Sequence, residues 1–165
     1  MVVTVFGGSG FLGSHVADHL SQAGHFVRVY DQTESSWLRS DQQMMIGSVL
    51  DSDAVTEAVK SADFVFNFAA VSDLNDALAQ PLKTMEINVL GNANILEACK
   101  EQNIKRFMYA SSVYVSSKKG GFYRISKQTA EQLVEEYQVK YGLDFTILRY
   151  GSIYGPRSDM HNGLY

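Results

Sequence analysis

Short apolar runs alternate with amphipathic segments along the whole chain. Six runs rich in β-branched or aromatic residues predict strands, at Val2–Phe6, Phe26–Tyr30, Met44–Ile46, Phe64–Phe68, Phe107–Ala110 and Phe145–Arg149. Between these runs, apolar residues at three- and four-residue spacing predict helices over Phe11–Ala23, Ala54–Ser61, Thr84–Gln102 and Tyr123–Tyr141. Strands that alternate with helices are typical of βαβ units. The pattern therefore predicts an α/β fold of three layers, with helices on both faces of a doubly wound parallel sheet.

Composition narrows the class of protein. The chain has 165 residues, 45% hydrophobic and 19% charged, which is enough to bury the core of one domain. A formal net charge of -4 gives no electrostatic reason to expect binding to nucleic acid or to an anionic membrane surface. The single cysteine, Cys99, cannot form an internal disulfide, and the first apolar run is too short to span a bilayer. We therefore expect a cytoplasmic protein with a small-molecule substrate.

A glycine-rich turn follows the first predicted strand. Gly7, Gly10 and Gly13 form a G-x-x-G-x-x-G pattern at the start of the first predicted helix. Glycines there let the backbone turn tightly and approach a diphosphate, which the free N–H groups and the helix dipole attract. Taken alone, the pattern fits a purely structural strand-to-helix turn equally well.

The second predicted strand adds a carboxylate. Asp31 follows this strand at about the distance at which an acidic residue accepts hydrogen bonds from the adenosine ribose. Asp31 would repel the 2′-phosphate of NADP, and Gln32 and Thr33 offer no cation to hold one. Asp31 could also be no more than a polar turn residue. With the glycines, it predicts a Rossmann-like domain that binds NAD.

A tyrosine and a lysine four residues apart suggest proton transfer. Tyr123 and Lys127 would lie on one face of the last predicted helix, where the ammonium would favour the phenolate and lower the tyrosine pKa from about 10. The same spacing also fits a half-buried tyrosine beside a solvated lysine. Ser111 and Ser112 follow a predicted strand at the sheet edge where ligands bind, although serines there can simply satisfy backbone groups. Ser112 is placed to hydrogen-bond a reacting oxygen.

Taken together, these motifs resemble the extended short-chain dehydrogenase/reductases, the NAD-dependent epimerase/dehydratase family that includes UDP-glucose 4-epimerase-like proteins. Besides the glycine cluster, the resemblance rests on residues 67–70, 88–91, 96–98, 109–112 and 148–156. It implies a catalytic role for Ser112, Tyr123 and Lys127. The residues expected to bind the cofactor are Gly7, Gly10, Phe11, Leu12, Gly13, Asp31, Gln32, Val49, Phe68, Ala69, Ala70, Tyr123, Lys127, Tyr150 and Ile153.

Departures from the family pattern bear on the reaction. Dehydratases of the family carry an Asp-Glu pair directly after the catalytic Ser or Thr, whereas Val113 and Tyr114 follow Ser112 here. Asn67 stands where histidine is common, and Gly151 and Ser152 stand where phenylalanine and asparagine are frequent. Dehydration is therefore not expected. The leading hypothesis is a nucleotide-sugar 4-epimerase that works by hydride transfer through a keto-sugar. The alternatives are a dehydrogenase or reductase of the same family, and a non-catalytic NAD-binding module.

The resemblance also implies a division of the chain and an oligomeric state. Family members add a smaller substrate-binding domain after the segment that matches Tyr150 to Pro156. We expect residues 1–150 to form the NAD-binding domain and residues 151–165 to begin the substrate-binding region, so that the chain alone binds NAD but turns over poorly. A homodimer through the helices predicted at Thr84–Gln102 and Tyr123–Tyr141 is expected. His15 and His19 lack further ligands at matching spacing, so no metal site is expected.

Overall fold

Six parallel strands form the centre of the molecule in a computed structural model, which describes residues 1–158. The strands are β1 (Val2–Phe6), β2 (Phe26–Asp31), β3 (Gln42–Ile46), β4 (Phe64–Asn67), β5 (Arg106–Ser112) and β6 (Phe145–Tyr150). Every predicted strand is present, and its ends differ from the prediction by at most two residues. The expected α/β fold with an all-parallel sheet is confirmed.

The strand order in the sheet is β3-β2-β1-β4-β5-β6. The order reverses between β1 and β4, which pair in parallel through Val3 and Phe64 at one end and Phe6 and Asn67 at the other. The loops that leave two such neighbouring strands diverge to opposite sides of the sheet. A crevice therefore opens at the carboxyl ends of β1 and β4, where doubly wound sheets bind their ligands.

Helices cover both faces of the sheet. They are α1 (Phe11–Gln22), α2 (Ser52–Val59), α3 (Leu74–Ala79), α4 (Pro81–Met85), α5 (Gly91–Glu101) and α6 (Gly121–Tyr141). Ala17 of α1 packs on one face against alternate residues of β1 and β2, whereas α2, α5 and α6 share a larger core on the other face. This is the predicted three-layer arrangement. Within residues 1–158, no helix has the length and apolarity needed to cross a membrane.

The helix predicted over Thr84–Gln102 is present but contains a π-helical turn. The structure has α4, then a π-helical turn at Glu86–Leu90, then α5. The wider turn directs Asn88 into the interior, where it is 2% exposed and fully hydrogen bonded. The short helix α3 was not predicted. Its N-cap residue Asp73 accepts hydrogen bonds from the N–H groups of Asn75 and Asp76, and Pro81 then begins α4.

Candidate functional site

An open cleft of about 630 Å³ lies at the carboxyl ends of the strands. It is lined by every residue that the sequence predicted for catalysis or cofactor binding, from Gly7 in the first turn to Ile153 beyond β6. Residues 159–165 of the expected substrate-binding region lie outside the described part of the chain. The predicted site residues, which are spread along the sequence, are thus brought together.

One wall of the cleft is the glycine turn between β1 and α1. Gly7 has a φ of +71°, and a Cβ atom built on it would lie 2.5 Å from the backbone nitrogen of Ala69. A Cβ on Gly13 would lie 2.2 Å from the carbonyl oxygen of Gly7. No side chain caps the start of α1, and its first turn carries no acidic residue. The turn therefore presents bare backbone and unpaired N–H groups, which suit a diphosphate.

Asp31 ends β2 beside this turn. Its Oδ2 accepts a hydrogen bond from the backbone N–H of Ser9 at 3.0 Å, and its Oδ1 accepts one from the N–H of Thr33 at 3.4 Å. The hydroxyl of Ser9 donates to the carbonyl oxygen of Thr33 at 2.8 Å. These bonds fix the carboxylate at the rim of the cleft. Among the lining residues that the structure describes, the cations are Lys83 on α4 and Lys127 on α6.

The other end of the cleft holds Ser112, Tyr123 and Lys127. Ser112 is the last residue of β5, and both other side chains project from α6. The Lys127 Nζ donates to the carbonyl oxygen of Ala110 at 2.7 Å. It lies 5.8 Å from the centre of the Tyr123 ring and 4.8 Å from that of Tyr109. Lys127 is therefore buried at the strand end rather than solvated, and Tyr123 beside it is half-buried.

Burial dominates the ionisation of this pair. It raises the pKa of Tyr123, with a smaller contribution from Tyr114, while a hydrogen bond with Ser112 acts in the opposite direction. Burial also lowers the pKa of Lys127 to about 7, against the charge of Glu131, which raises it. The expectation that Lys127 would lower the tyrosine pKa is thus corrected. Desolvation of the phenol is the largest cause, and the pKa of Tyr123 is raised rather than lowered.

The sequence analysis missed the role of Asn88. Its Oδ1 accepts from the N–H of Val71 at 2.7 Å, and its Nδ2 donates to the Val71 carbonyl at 3.0 Å and to the Ser126 hydroxyl at 2.9 Å. Ser126 in turn donates to the Tyr123 carbonyl at 2.8 Å. Asn88 thereby joins the segment after β4 to the helix that carries Tyr123. The signal in the sequence that could have revealed this role was an asparagine on the apolar side of a predicted helix.

A polar rim formed by α3, α4 and their flanking residues was also missed, because α3 was not predicted. These side chains line the cleft and offer hydroxyl, carboxylate, amide and ammonium groups. The lining residues of this rim are Ser72, Asp73, Asp76, Gln80 and Lys83.

The segment after β6 crosses back to α1. Arg157 forms an ion pair with Asp18 at 2.6 Å, and its guanidinium carbon lies 4.8 Å from the centre of the Trp37 ring. The ring nitrogen Nε2 of His15 is 2.8 Å from the carbonyl oxygen of Pro156. These contacts fasten residues 151–158 beside α1, the helix that follows the glycine turn. Within residues 1–158, no cluster of three or more potential ligands is placed to hold a metal ion.

Comparison with known proteins identifies relatives that belong to one family. The profile of the NAD-dependent epimerase/dehydratase family matches residues 3–164. UDP-glucose 4-epimerase of Thermotoga maritima, solved with UDP-glucose, superposes with a TM-score of 0.90 at 28% identity, over 96% of this chain and 58% of its own. The Thermus thermophilus UDP-glucose 4-epimerase, solved with NAD, gives 0.89 at 29% identity, over 98% of this chain and 58% of its own.

A relative with a different activity is equally similar. UDP-N-acetyl-alpha-D-glucosaminuronate decarboxylase of Bacillus cytotoxicus is 30% identical over 93% of this chain and 55% of its own length. The chain spans about half the length of the curated relatives that it matches.

Proposed function

Because this chain belongs to the NAD-dependent epimerase/dehydratase family, we propose that its cleft binds NAD and that the protein acts on a nucleotide sugar as a 4-epimerase. NAD is the cofactor of the family, which agrees with the sequence prediction. The observation that carries the proposal is the convergence of Ser112, Tyr123 and Lys127 at one end of a cleft whose other end is the glycine turn. We also propose that residues 1–150 form the NAD-binding domain and residues 151–165 begin the substrate-binding region.

The lining residues fit NAD. The glycine turn would hold the diphosphate, Asp31 the hydroxyls of the adenosine ribose and Val49 the adenine. Lys127 would bind the nicotinamide ribose, Phe68–Ala70 would line the cofactor, and the segment from Tyr150 to Ile153 would approach the nicotinamide. When bound, NAD supplies an acceptor and donor of hydride.

Side chains of this protein would transfer the proton. Ser112 donates a hydrogen bond to the reacting sugar oxygen, and Tyr123 takes the hydroxyl proton as that carbon is oxidised to a ketone. Tyr123 returns the proton when the ketone is reduced on its other face, so the sugar is not oxidised overall. Because burial raises the pKa of Tyr123, the phenolate needs the positive charge of Lys127 near it.

The residues beside Ser112 favour epimerisation over dehydration. Val113 is half exposed, and the Tyr114 ring packs edge-on against Tyr123 at 6.4 Å between ring centres. A carboxylic acid at these two positions would be needed for the elimination that the family's dehydratases perform. Val113 has no transferable proton, and Tyr114 offers a packed phenol in place of a carboxyl group. The absence of the acid pair leaves a dehydrogenase or reductase as the second enzymatic candidate.

Calorimetry tests the cofactor. We expect the chain to bind NAD more tightly than NADP, and Asp31→Ala to weaken NAD binding by about 10- to 100-fold, as loss of a charged hydrogen bond would. Glu34→Ala, an exposed carboxylate three residues away, is the control and should leave the affinity unchanged. Absence of NAD binding by the unmodified chain would overturn the proposal.

Mixing the NAD-loaded chain with UDP-glucose or UDP-galactose tests the reaction. We expect slow interconversion of the two sugars, with transient protein-bound NADH and no net release. Steady NADH release would identify a dehydrogenase instead. NAD binding without any reduction by nucleotide sugars would favour the non-catalytic module.

We further propose a homodimer through the helical face formed by α4, the π-helical turn, α5 and α6. Leu82 and Leu90 are 80% and 53% exposed there, and Ile125 of α6 is 39% exposed. An apolar groove between α4, the π-helical turn and α6 runs past Val89 and Ala93. Sedimentation should give the mass of two chains, and Leu82→Glu should shift it towards one. A monomer at all concentrations would contradict this proposal.

A further inference from the structure

Two oppositely charged side chains are buried one turn apart on α6. Lys127 is 3% exposed and Glu131 is 6% exposed, and no other Asp, Glu, Lys or Arg in residues 1–158 is buried to this degree. Residues four apart face the same side of a helix, with their Cβ atoms about 5 to 6 Å apart. A buried charge is costly unless an opposite charge or hydrogen bonds compensate it. The burial of Lys127 and that of Glu131 therefore have one explanation, in which each charge compensates the other.

The carboxylate of Glu131 is held from a different element. Arg149 of β6 donates its Nε to Oε1 at 3.0 Å and its NH2 to Oε2 at 2.7 Å, a two-point contact that fixes the plane of the carboxylate. The Arg149 side chain is half exposed, so most of the desolvation falls on Glu131. Glu131 thus has a defined position between Arg149 and the turn that carries Lys127.

We propose that Glu131 is a positioning residue that holds Lys127 at the reaction centre in its charged form, with Arg149 as its anchor. The catalytic importance of the Lys127 charge rests on the function proposed above, whereas the placement of Glu131 one turn from Lys127 is independent of it.

The surroundings of Lys127 single out Glu131. From α6, the ring of Tyr123 faces the ammonium and Glu131 follows one turn later, and from β5 the ring of Tyr109 and the Ala110 carbonyl face it. Arg149 of β6 contacts Glu131. The Asp, Glu and Lys side chains of α3, α4 and α5 and of the π-helical turn are exposed or half-buried, and burial raises the pKa of the Cys99 thiol on α5 well above its usual value, so it is uncharged. In the described chain, Glu131 is the one group whose charge raises the lysine pKa against the effect of burial.

Nuclear magnetic resonance of the chain with isotope-labelled lysine tests the proposal without cofactor or substrate. The Lys127 side-chain signal is assigned by its loss in Lys127→Met. We expect Glu131→Gln to lower the titration midpoint of Lys127 by at least about one pH unit, the size expected for one charge removed at this spacing. Glu131→Asp keeps the charge and should give an intermediate midpoint.

Glu135→Gln is the matched control. It makes the same change one turn further along α6, at an exposed residue that also faces Arg149. In this variant the titration midpoint of Lys127 should stay within about 0.3 pH unit of its value in the unmodified chain, because exposed charges are well screened. An equal midpoint in folded Glu131→Gln and in Glu135→Gln would overturn the proposal.

A measurement on the unmodified chain covers the case in which Glu131→Gln does not fold. The chemical shift of the Glu131 carboxyl carbon should change at the same pH as that of the Lys127 side chain, since it responds to the loss of a nearby charge. Absence of that change would equally overturn the proposal. Failure of NAD binding in calorimetry would instead refute the proposed function, so the two failures are distinguishable.

Discussion

Replacement of Gly7 by alanine tests whether the glycine turn contacts the backbone at the end of β4, the strand that pairs with β1 in the sheet. Gly7 has a φ of +71°, and a Cβ there would lie 2.5 Å from the nitrogen of Ala69 and 2.6 Å from the carbonyl carbon of Phe68. Both are backbone atoms, so no side chain can rotate away. The added methyl group must displace the turn or the end of β4.

The cost has two parts. A left-handed backbone costs a residue with a Cβ about 1 to 2 kcal/mol, and forcing an extra carbon into a packed site costs about 1 to 3 kcal/mol. We therefore expect Gly7→Ala to lower the free energy of unfolding by about 3 kcal/mol. That is a large part of the total for a domain, which is about 5 to 15 kcal/mol. Urea unfolding followed by circular dichroism, without NAD, measures it.

Two other glycines separate these contributions. Gly24 has a φ of +81° with no atom within 4 Å of its Cβ position, so Gly24→Ala should cost only about 1 kcal/mol. Gly10 has a φ of -76° and its nearest atom, the Gly7 oxygen, is 3.4 Å away, so Gly10→Ala should stay within about 0.5 kcal/mol of the unmodified chain. If Gly7→Ala were no less stable than Gly24→Ala, the close approach of the turn to β4 would be refuted.

Three further results are expected. Tyr123→Phe should reduce sugar-dependent formation of bound NADH by at least about 100-fold but leave the calorimetric affinity for NAD within about threefold; an unaltered rate would contradict its role. Arg157→Met should change the fluorescence of Trp37, the single tryptophan, whereas Arg39→Met, which breaks an exposed ion pair, should not. Because burial lowers the pKa of Lys127 to about 7, the folded chain binds fewer protons than the unfolded chain above that pH, so stability should rise from pH 7 to about 9. Urea titrations of Lys127→Met should lack this rise.

The sequence predicted the strands, and residues of the glycine turn that line the cleft, because both depend on local chemistry. A run such as Val2–Phe6 becomes a strand covered on both faces, and glycines after it have few other uses at the start of a helix. Asp31 also follows this logic, since its position is counted from the same turn. The resemblance to the NAD-dependent epimerase/dehydratase family is confirmed by the profile match to residues 3–164.

Features that depend on contacts between distant elements were not predicted. The π-helical turn forms where Asn88 reaches Val71 and Ser126, two partners 17 and 38 residues away. Helical periodicity in the sequence does not distinguish such a turn from a regular α-helix. The raised pKa of Tyr123 was missed for a related reason. The i, i+4 spacing indicated the neighbouring charge but not the depth of burial, and burial is the largest cause of the shift in the Tyr123 pKa.

The two ends of the cleft are stabilised by different interactions, and this decides how each tolerates change. At the glycine turn, backbone is held by backbone, as in the 2.9 Å bond from the Gly7 N–H to the Tyr30 carbonyl, with Asp31 at the rim. At the other end of the cleft, Lys127 and Glu131 are both buried, and Glu131 is also paired with an arginine of β6. Loss of the Glu131 carboxylate therefore leaves the Lys127 ammonium without a buried opposite charge, whereas loss of the lysine charge leaves the carboxylate paired. Substitutions of Glu131 should accordingly lower stability, whereas polar substitutions at the rim beside the glycine turn should change cofactor affinity alone.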